Sequence, residues 1–233
     1  MSKSNFSTIQ DMVIRVAEAL GQERLRSMAF VGGLTTGFLI TDEYARESVR
    51  ATDDVDLIIG TLGYVQHAEF EEELRRLGFS DRQDNHVICR KWLGELQVDF
   101  MPTDDTLGFT NRWYQDALST AQPFELKPGL TIRLLTPPHF IATKLEAYKG
   151  RGNGDILGSR DLEDVMTLID GRSTLFQEIS KCNGAMQGFI SEEFRELLKN
   201  DYFEYLVQTT ANGQQERIDY LYEIIDKIAG LNQ

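Results

Sequence analysis

The sequence predicts an α+β fold: a small mixed β-sheet flanked by helices, followed by a C-terminal helical bundle. Short apolar runs at residues 28–31, 55–59, 86–92 and 95–101 have strand length, and helical stripes separate the early ones. From residue 136 onward helical patterns dominate. The expected division is therefore a core over residues 1–135 and a helical domain over 136–233 that completes its cleft.

The totals set outer bounds. A chain of 233 residues holds one large domain or two small ones, and 41% hydrophobic with 26% charged residues is ordinary for a globular protein. No apolar run reaches bilayer length, and residues 1–5 lack a signal-peptide core, so no membrane partner is expected. Two cysteines, Cys89 and Cys182, fit no metal spacing and point to a reducing cytoplasm. With 37 acids against 24 bases the net charge is −13, which repels polyphosphate at long range. It does not exclude a nucleotide arriving with Mg²⁺.

Ile9, Met12, Val13, Val16 and Leu20 recur at helical spacing over residues 7–21, with Gly21 as a stop. The run 28–31 then leads into Gly32-Gly33, a pair that lets backbone amides approach a ligand or simply makes a turn. Thr35 and Thr36 follow with hydroxyl donors, and residues 37–40 continue as a short apolar helix. Residues 41–48 read as a polar loop, with Arg46 in it and Arg50 just beyond. Residues 65–77 form a helix with Ala68, Phe70, Leu74 and Leu77 inward and Glu69, Glu71, Glu72, Arg75 and Arg76 on a solvated face. The strands 86–92 and 95–101 make a hairpin turning at Leu93-Gly94.

The chemistry concentrates on the strand 55–59. Side chains alternate along a strand, so Asp54 and Asp56 share one face, within roughly 7 Å, and repel unless a cation sits between them. Rigid carboxylates at a strand's mouth suit a hard divalent ion such as Mg²⁺; a solvated acidic turn is the plainer reading. Asp99 lies mid-strand between Val98 and Phe100, where a charge is rare unless it is paired or ligates a metal. It either joins Asp54 and Asp56 or pairs with Arg90 or Lys91 across the hairpin.

In the second half, Thr136-Pro137-Pro138 opens a helix whose buried stripe is Ile141, Leu145 and Tyr148. Lys144, Ala147 and Arg151 lie on a neighbouring face, from which a lysine reaches a phosphate as a point charge or stands on the surface. Residues 150–159 form a glycine-rich loop. Leu162, Val165, Met166 and Ile169 set the core face of the next helix. Asp161 and Asp164 either orient Lys144 or Arg151 by ion pairing or favour the helix N-terminus. Ile218, Leu221, Tyr222, Ile225 and Ile228 mark a terminal helix near Gly230, and Phe189, Phe194, Leu197, Leu198, Phe203 and Leu206 mark one or two more. Tyr202, Phe203 and Tyr205 pack in a core or stack on bases.

Gly32-Gly33, then Thr52-x-Asp54-x-Asp56, then Asp99 resembles the polymerase-β nucleotidyltransferase superfamily. The AbiEii-like branch, which includes toxins of toxin–antitoxin pairs, is the nearer match. Its pattern adds Arg50 before the Thr-x-Asp-x-Asp run, Ala142-Thr143-Lys144-Leu145-Glu146-Ala147, Arg151, and Arg160-Asp161-Leu162-Glu163-Asp164. One departure stands: Leu34 intervenes where the branch places Thr or Ser directly after the glycine pair.

The resemblance implies a nucleotidyltransferase core whose acids Asp54, Asp56 and Asp99 hold two Mg²⁺ ions, or Mn²⁺ in their place. It implies a nucleotide site made of Gly32, Gly33, Thr35, Thr36, Arg50, Thr52, Lys144 and Arg151, supported by Asp161 and Asp164. The implied reaction moves a nucleoside monophosphate from an NTP such as ATP to a hydroxyl. The acceptor is an RNA, especially a tRNA 3′ end, and an antitoxin protein is the implied partner. Alternatives are an aminoglycoside-type adenylyltransferase with a small cationic acceptor, a metal-dependent glycosyltransferase, and a non-catalytic binding module of the same fold.

Overall fold

Ser4 opens the first helix: its hydroxyl accepts from the Ser7 N–H and so satisfies one of the unpaired amides of the first turn. The computed structural model describes residues 4–47, 49–60, 64–82, 87–105, 110–152 and 154–231. Its elements begin with α1 (Asn5–Leu25), β1 (Met28–Val31), a 3-10 turn (Gly33–Thr35), α2 (Thr36–Leu39) and α3 (Glu43–Arg46). Next come β2 (Asp54–Ile59), α4 (Tyr64–Arg76), β3 (Phe79–Ser80), β4 (Arg90–Leu93) and β5 (Leu96–Pro102). Then follow α5 (Tyr114–Thr120), β6 (Gln122–Lys127), β7 (Leu130–Leu134), α6 (Pro137–Arg151) and α7 (Arg160–Gly171). The last are α8 (Leu175–Ile179), α9 (Gly184–Leu198), α10 (Asp201–Thr210) and α11 (Gln215–Ala229). The class is α+β with one mixed seven-stranded sheet among the described residues.

The chain forms two compact units. The first takes Met1–Thr35 and Arg50–Thr136 and holds the whole sheet, in the order β3-β4-β5-β2-β1-β7-β6. β1 runs antiparallel to β2, and β2 runs parallel to β5. One face of β2 and β5 carries Leu57 and Phe100, with Phe70 and Phe79 set edge-on to the Phe100 ring at 5.6 and 5.5 Å. The other face packs Ile58, Ala29 and Val31 against Ala117 of α5 and Ala121 just after it. This second face also bears Asp54 and Asp56, so the acids begin where its apolar cover stops.

The second unit takes Thr36–Val49 and Pro137–Gln233. Residues 36–49, expected with the core, fold instead onto the end of α7. The Gly171 carbonyl accepts from the Thr41 and Asp42 N–H groups at 3.0 and 3.1 Å. The Arg172 guanidinium donates to the Leu39 carbonyl at 2.6 Å. A Cβ at Gly171 would come within 2.8 Å of Ile40, so only glycine permits this approach. Single-point division of the chain at 135/136 misses this exchange of a segment.

Several expectations meet the structure element by element. At Gly21 the backbone does leave helical geometry, with φ +74°, but α1 resumes to Leu25. The loop expected at 41–48 contains a helical turn, α3, capped by Asp42 accepting from the Ala45 N–H at 2.8 Å; Ser48 lies outside the described residues. Ala68 on α4 is exposed, and Glu71, expected on a solvated face, pairs instead with buried Lys91. The strand expected from residue 86 begins at Arg90, after a turn; His86 lies outside the described residues. The hairpin β6–β7 and the helix α5 were not anticipated. Among the described residues no helix is long and apolar enough to cross a membrane.

Candidate functional site

In the first unit a row of side chains crosses three strands. Asp56 of β2 is in register with Asp99 of parallel β5, and Asp99 is in register with Arg90 of antiparallel β4. Neighbouring strands lie about 4.8 Å apart, so the row is set by backbone pairing and not by chance rotamers. Asp54, two residues before Asp56, extends it on the same face. The juxtaposition of Asp54, Asp56 and Asp99 expected from the sequence is thus present at the level of strands and faces.

Its electrostatics differ from the metal-ligand expectation. Both Asp99 oxygens accept from the Arg90 guanidinium, Nε to Oδ1 and Nη2 to Oδ2, each at 2.8 Å. A planar fork on a carboxylate is among the strongest ion pairs a protein makes. Of the two readings of Asp99, pairing across the hairpin is the one the structure contains, with Arg90 as the partner. Lys91 points to the opposite face, where it meets Glu71 and Asp81. The hydrogen bond that Arg90 donates to Asp99, with the charges of Asp99 and Asp54, raises the Arg90 pKa above its ordinary value despite the opposing effect of burial. Burial, and next the charge of Asp99, push the Cys89 thiol up to about 11.

The glycine pair lies beside this row. Gly32 follows β1 with φ +74°, and a Cβ there would sit 1.9 Å from Asp56 Oδ2. Both the dihedral and the space admit only glycine, and its Cα forms one wall against the Asp56 carboxylate. Thr35 is fully buried, and its hydroxyl donates to the Gly32 carbonyl at 2.8 Å, locking the turn. Thr36 is also fully buried and belongs to the second unit. Neither hydroxyl is presented to solvent in this arrangement. The Thr52 hydroxyl donates to Asp54 Oδ1 at 2.6 Å, and Arg50 donates to the Ala51 carbonyl at 3.3 Å.

In the second unit Lys144 on α6 lies between two acids of α7, 3.2 Å from Asp161 and 2.6 Å from Asp164. All three are buried. Arg151 grips Asp161 from outside through Nε at 3.0 Å and Nη2 at 2.9 Å, its own side chain 73% exposed. Burial alone would raise the Asp161 carboxyl, but the Arg151 hydrogen bonds and the Lys144 charge outweigh it and hold the pKa below its ordinary value. Of the two roles weighed for Asp161 and Asp164, ion pairing with Lys144 and Arg151 is what the structure shows. Lys144, expected to reach a phosphate, is fully engaged by these carboxylates.

Chemically, Asp54 and Asp56 supply the hard oxygens that Mg²⁺ prefers, on a rigid strand. Asp99, with both oxygens on Arg90, does not fit as a third ligand in this arrangement. Among the described residues no group of three or more His, Cys, Asp or Glu side chains has metal-holding geometry. No family model and no curated protein matches the chain. Arg90 is the residue whose role the sequence left open, and its signal was the hairpin count: a turn at Leu93-Gly94 sets residue 90 opposite 99.

Proposed function

We propose that the chain is a Mg²⁺-dependent nucleotidyltransferase that moves a nucleoside monophosphate from an NTP to a hydroxyl acceptor. The supporting observation is the placement of Asp54, Asp56 and Asp99 on one face of adjacent strands, beside a turn that only Gly32 fits. When bound, Mg²⁺ would neutralise phosphoryl charge and make the acceptor hydroxyl a better nucleophile. Asp54 and Asp56 would hold it. Thr52 orients the Asp54 carboxylate, and the Gly32 turn, which has room for the Asp56 carboxylate because it carries no side chain, keeps Asp56 in place.

The proposed acceptor is an RNA 3′ end, with the chain acting as the toxin of a toxin–antitoxin pair; this part is supported by the motif resemblance alone. A net charge of −13 favours a second acceptor class, a small cationic molecule of the aminoglycoside kind. The Arg90 fork on Asp99 favours a third reading, a binding module without catalysis.

The test incubates the protein with each α-labelled NTP, Mg²⁺, and either total tRNA or an aminoglycoside panel. Label on RNA supports the first reading, and label on the small molecule the second. No label on either acceptor favours the binding module or an acceptor outside these two classes. Asp56→Asn is expected to lower transfer by about 10³-fold, the upper range for removing one group that stabilises transition-state charge.

A further inference from the structure

We propose that Arg90 is a built-in counter-cation that withholds Asp99 from a divalent ion, so that the row gains its third carboxylate only when Arg90 swings out. This rests on the nucleotidyltransferase reading for its purpose, though not for its geometry.

Three observations lead to it. First, Arg90 and Asp99 are cross-strand partners, so the pair is built into the hairpin register and forms whenever the sheet forms. Second, the fork uses both Asp99 oxygens at 2.8 Å and leaves that carboxylate no bidentate position for another cation. Third, the partners differ in length and exposure. Asp99 is a short side chain on a strand between buried Val98 and Phe100 and is itself buried. Arg90 has a long stem, and its side chain is 24% exposed against 11% for Asp99. Any opening of the pair is therefore a movement of Arg90 toward solvent, with Asp99 left in place beside Asp56.

A carboxylate next to Asp56 needs a positive charge near it in both states. With the ion absent, Arg90 supplies that charge. With the ion and a nucleotide present, the ion supplies it, and the released guanidinium becomes available to a phosphate oxygen.

The experiment titrates Mn²⁺ into the full chain, without nucleotide, by electron paramagnetic resonance. Arg90→Gln is expected to bind about tenfold tighter than wild type, the scale of one charge-assisted hydrogen-bonded pair no longer competing. The double variant Arg90→Gln/Asp99→Asn should return to wild-type affinity. Equal or weaker binding by Arg90→Gln, or a double variant that binds as tightly as Arg90→Gln, overturns the proposal. If circular dichroism shows Arg90→Gln unfolded, Arg90→Lys takes its place. A lysine cannot span both oxygens, so its affinity should rise above wild type, and no rise overturns the proposal. The two readings fail separately. Tighter Mn²⁺ binding by Arg90→Gln with no label transfer by wild type leaves Arg90's role and removes nucleotidyl transfer. Transfer by wild type with unchanged Mn²⁺ affinity in Arg90→Gln does the reverse.

Discussion

The two charged clusters use the same ingredients in opposite ways. Around Lys144, one ammonium is shared by two carboxylates, all three groups are buried, and Arg151 closes the outer side. Around Asp99, a half-exposed guanidinium holds one carboxylate while Asp54 and Asp56 stand half-buried on the same face, next to a glycine turn. A buried, mutually satisfied cluster resists change, because removing any member strands a charge in low dielectric. A cluster at the open end of a strand can exchange a partner. Burial, more than the number of acids, separates a scaffold from a candidate for chemistry.

The sharpest way to break this contrast is to remove each cation. Lys144→Ala should cost roughly 3–5 kcal/mol of unfolding free energy in urea, since buried Asp164 loses its ammonium partner, while Arg151 still holds Asp161. Arg90→Ala should cost less, about 1–3 kcal/mol, because Arg90 is itself partly exposed and holds one carboxylate where Lys144 holds two. Equal losses would erase the distinction. Next in size is Gly32→Ala. A methyl group 1.9 Å from Asp56 Oδ2, on a residue with φ +74°, must move the turn or the carboxylate. The expected loss is about 1–3 kcal/mol together with weaker Mn²⁺ binding, and unchanged values for both would remove Gly32 from the site.

A smaller effect concerns pH. The Asp161 carboxyl is held below its ordinary value of 3.8, so its stabilising contribution is complete above that value and disappears as pH falls through the lowered native pKa. Urea stability of wild type should therefore fall more steeply below about pH 4 than that of Asp161→Asn, although the variant is less stable at pH 7. Parallel curves would show that Asp161 is not the titrating group. The smallest expected signal is thiol reactivity. Buried Cys89, pushed up to about 11, should react with a disulfide reagent at pH 8 more slowly than half-buried Cys182. Asp99→Asn should narrow the gap, because the Asp99 charge contributes to the shift; an unchanged gap would place that charge too far from Cys89 to matter.

Local pattern made much of this legible. The alternation of Asp54 and Asp56, the stripes of α1 and α7, and the turn at Leu93-Gly94 are encoded within a few residues of one another. The hairpin β6–β7 was legible too: Phe124-x-Leu126 and Leu130-x-Ile132-x-Leu134 alternate around Lys127-Pro128-Gly129, and Gly129 has φ +80°. The assignment of residues 36–49 to the second unit was not legible, because the Gly171 carbonyl and Arg172 that hold them lie more than 120 residues away.

By itself the sequence determined which residues share a strand face, where the long helices α4 and α6 start, and that a charge at position 99 required a partner. Periodicity and burial cost are properties of short segments, so they can be read from the order of residues. Which partner Asp99 takes, and whether Lys144 faces solvent or two carboxylates, only the tertiary structure decided. Both depend on which strands and helices come to lie side by side, and that is fixed by packing summed over the whole fold.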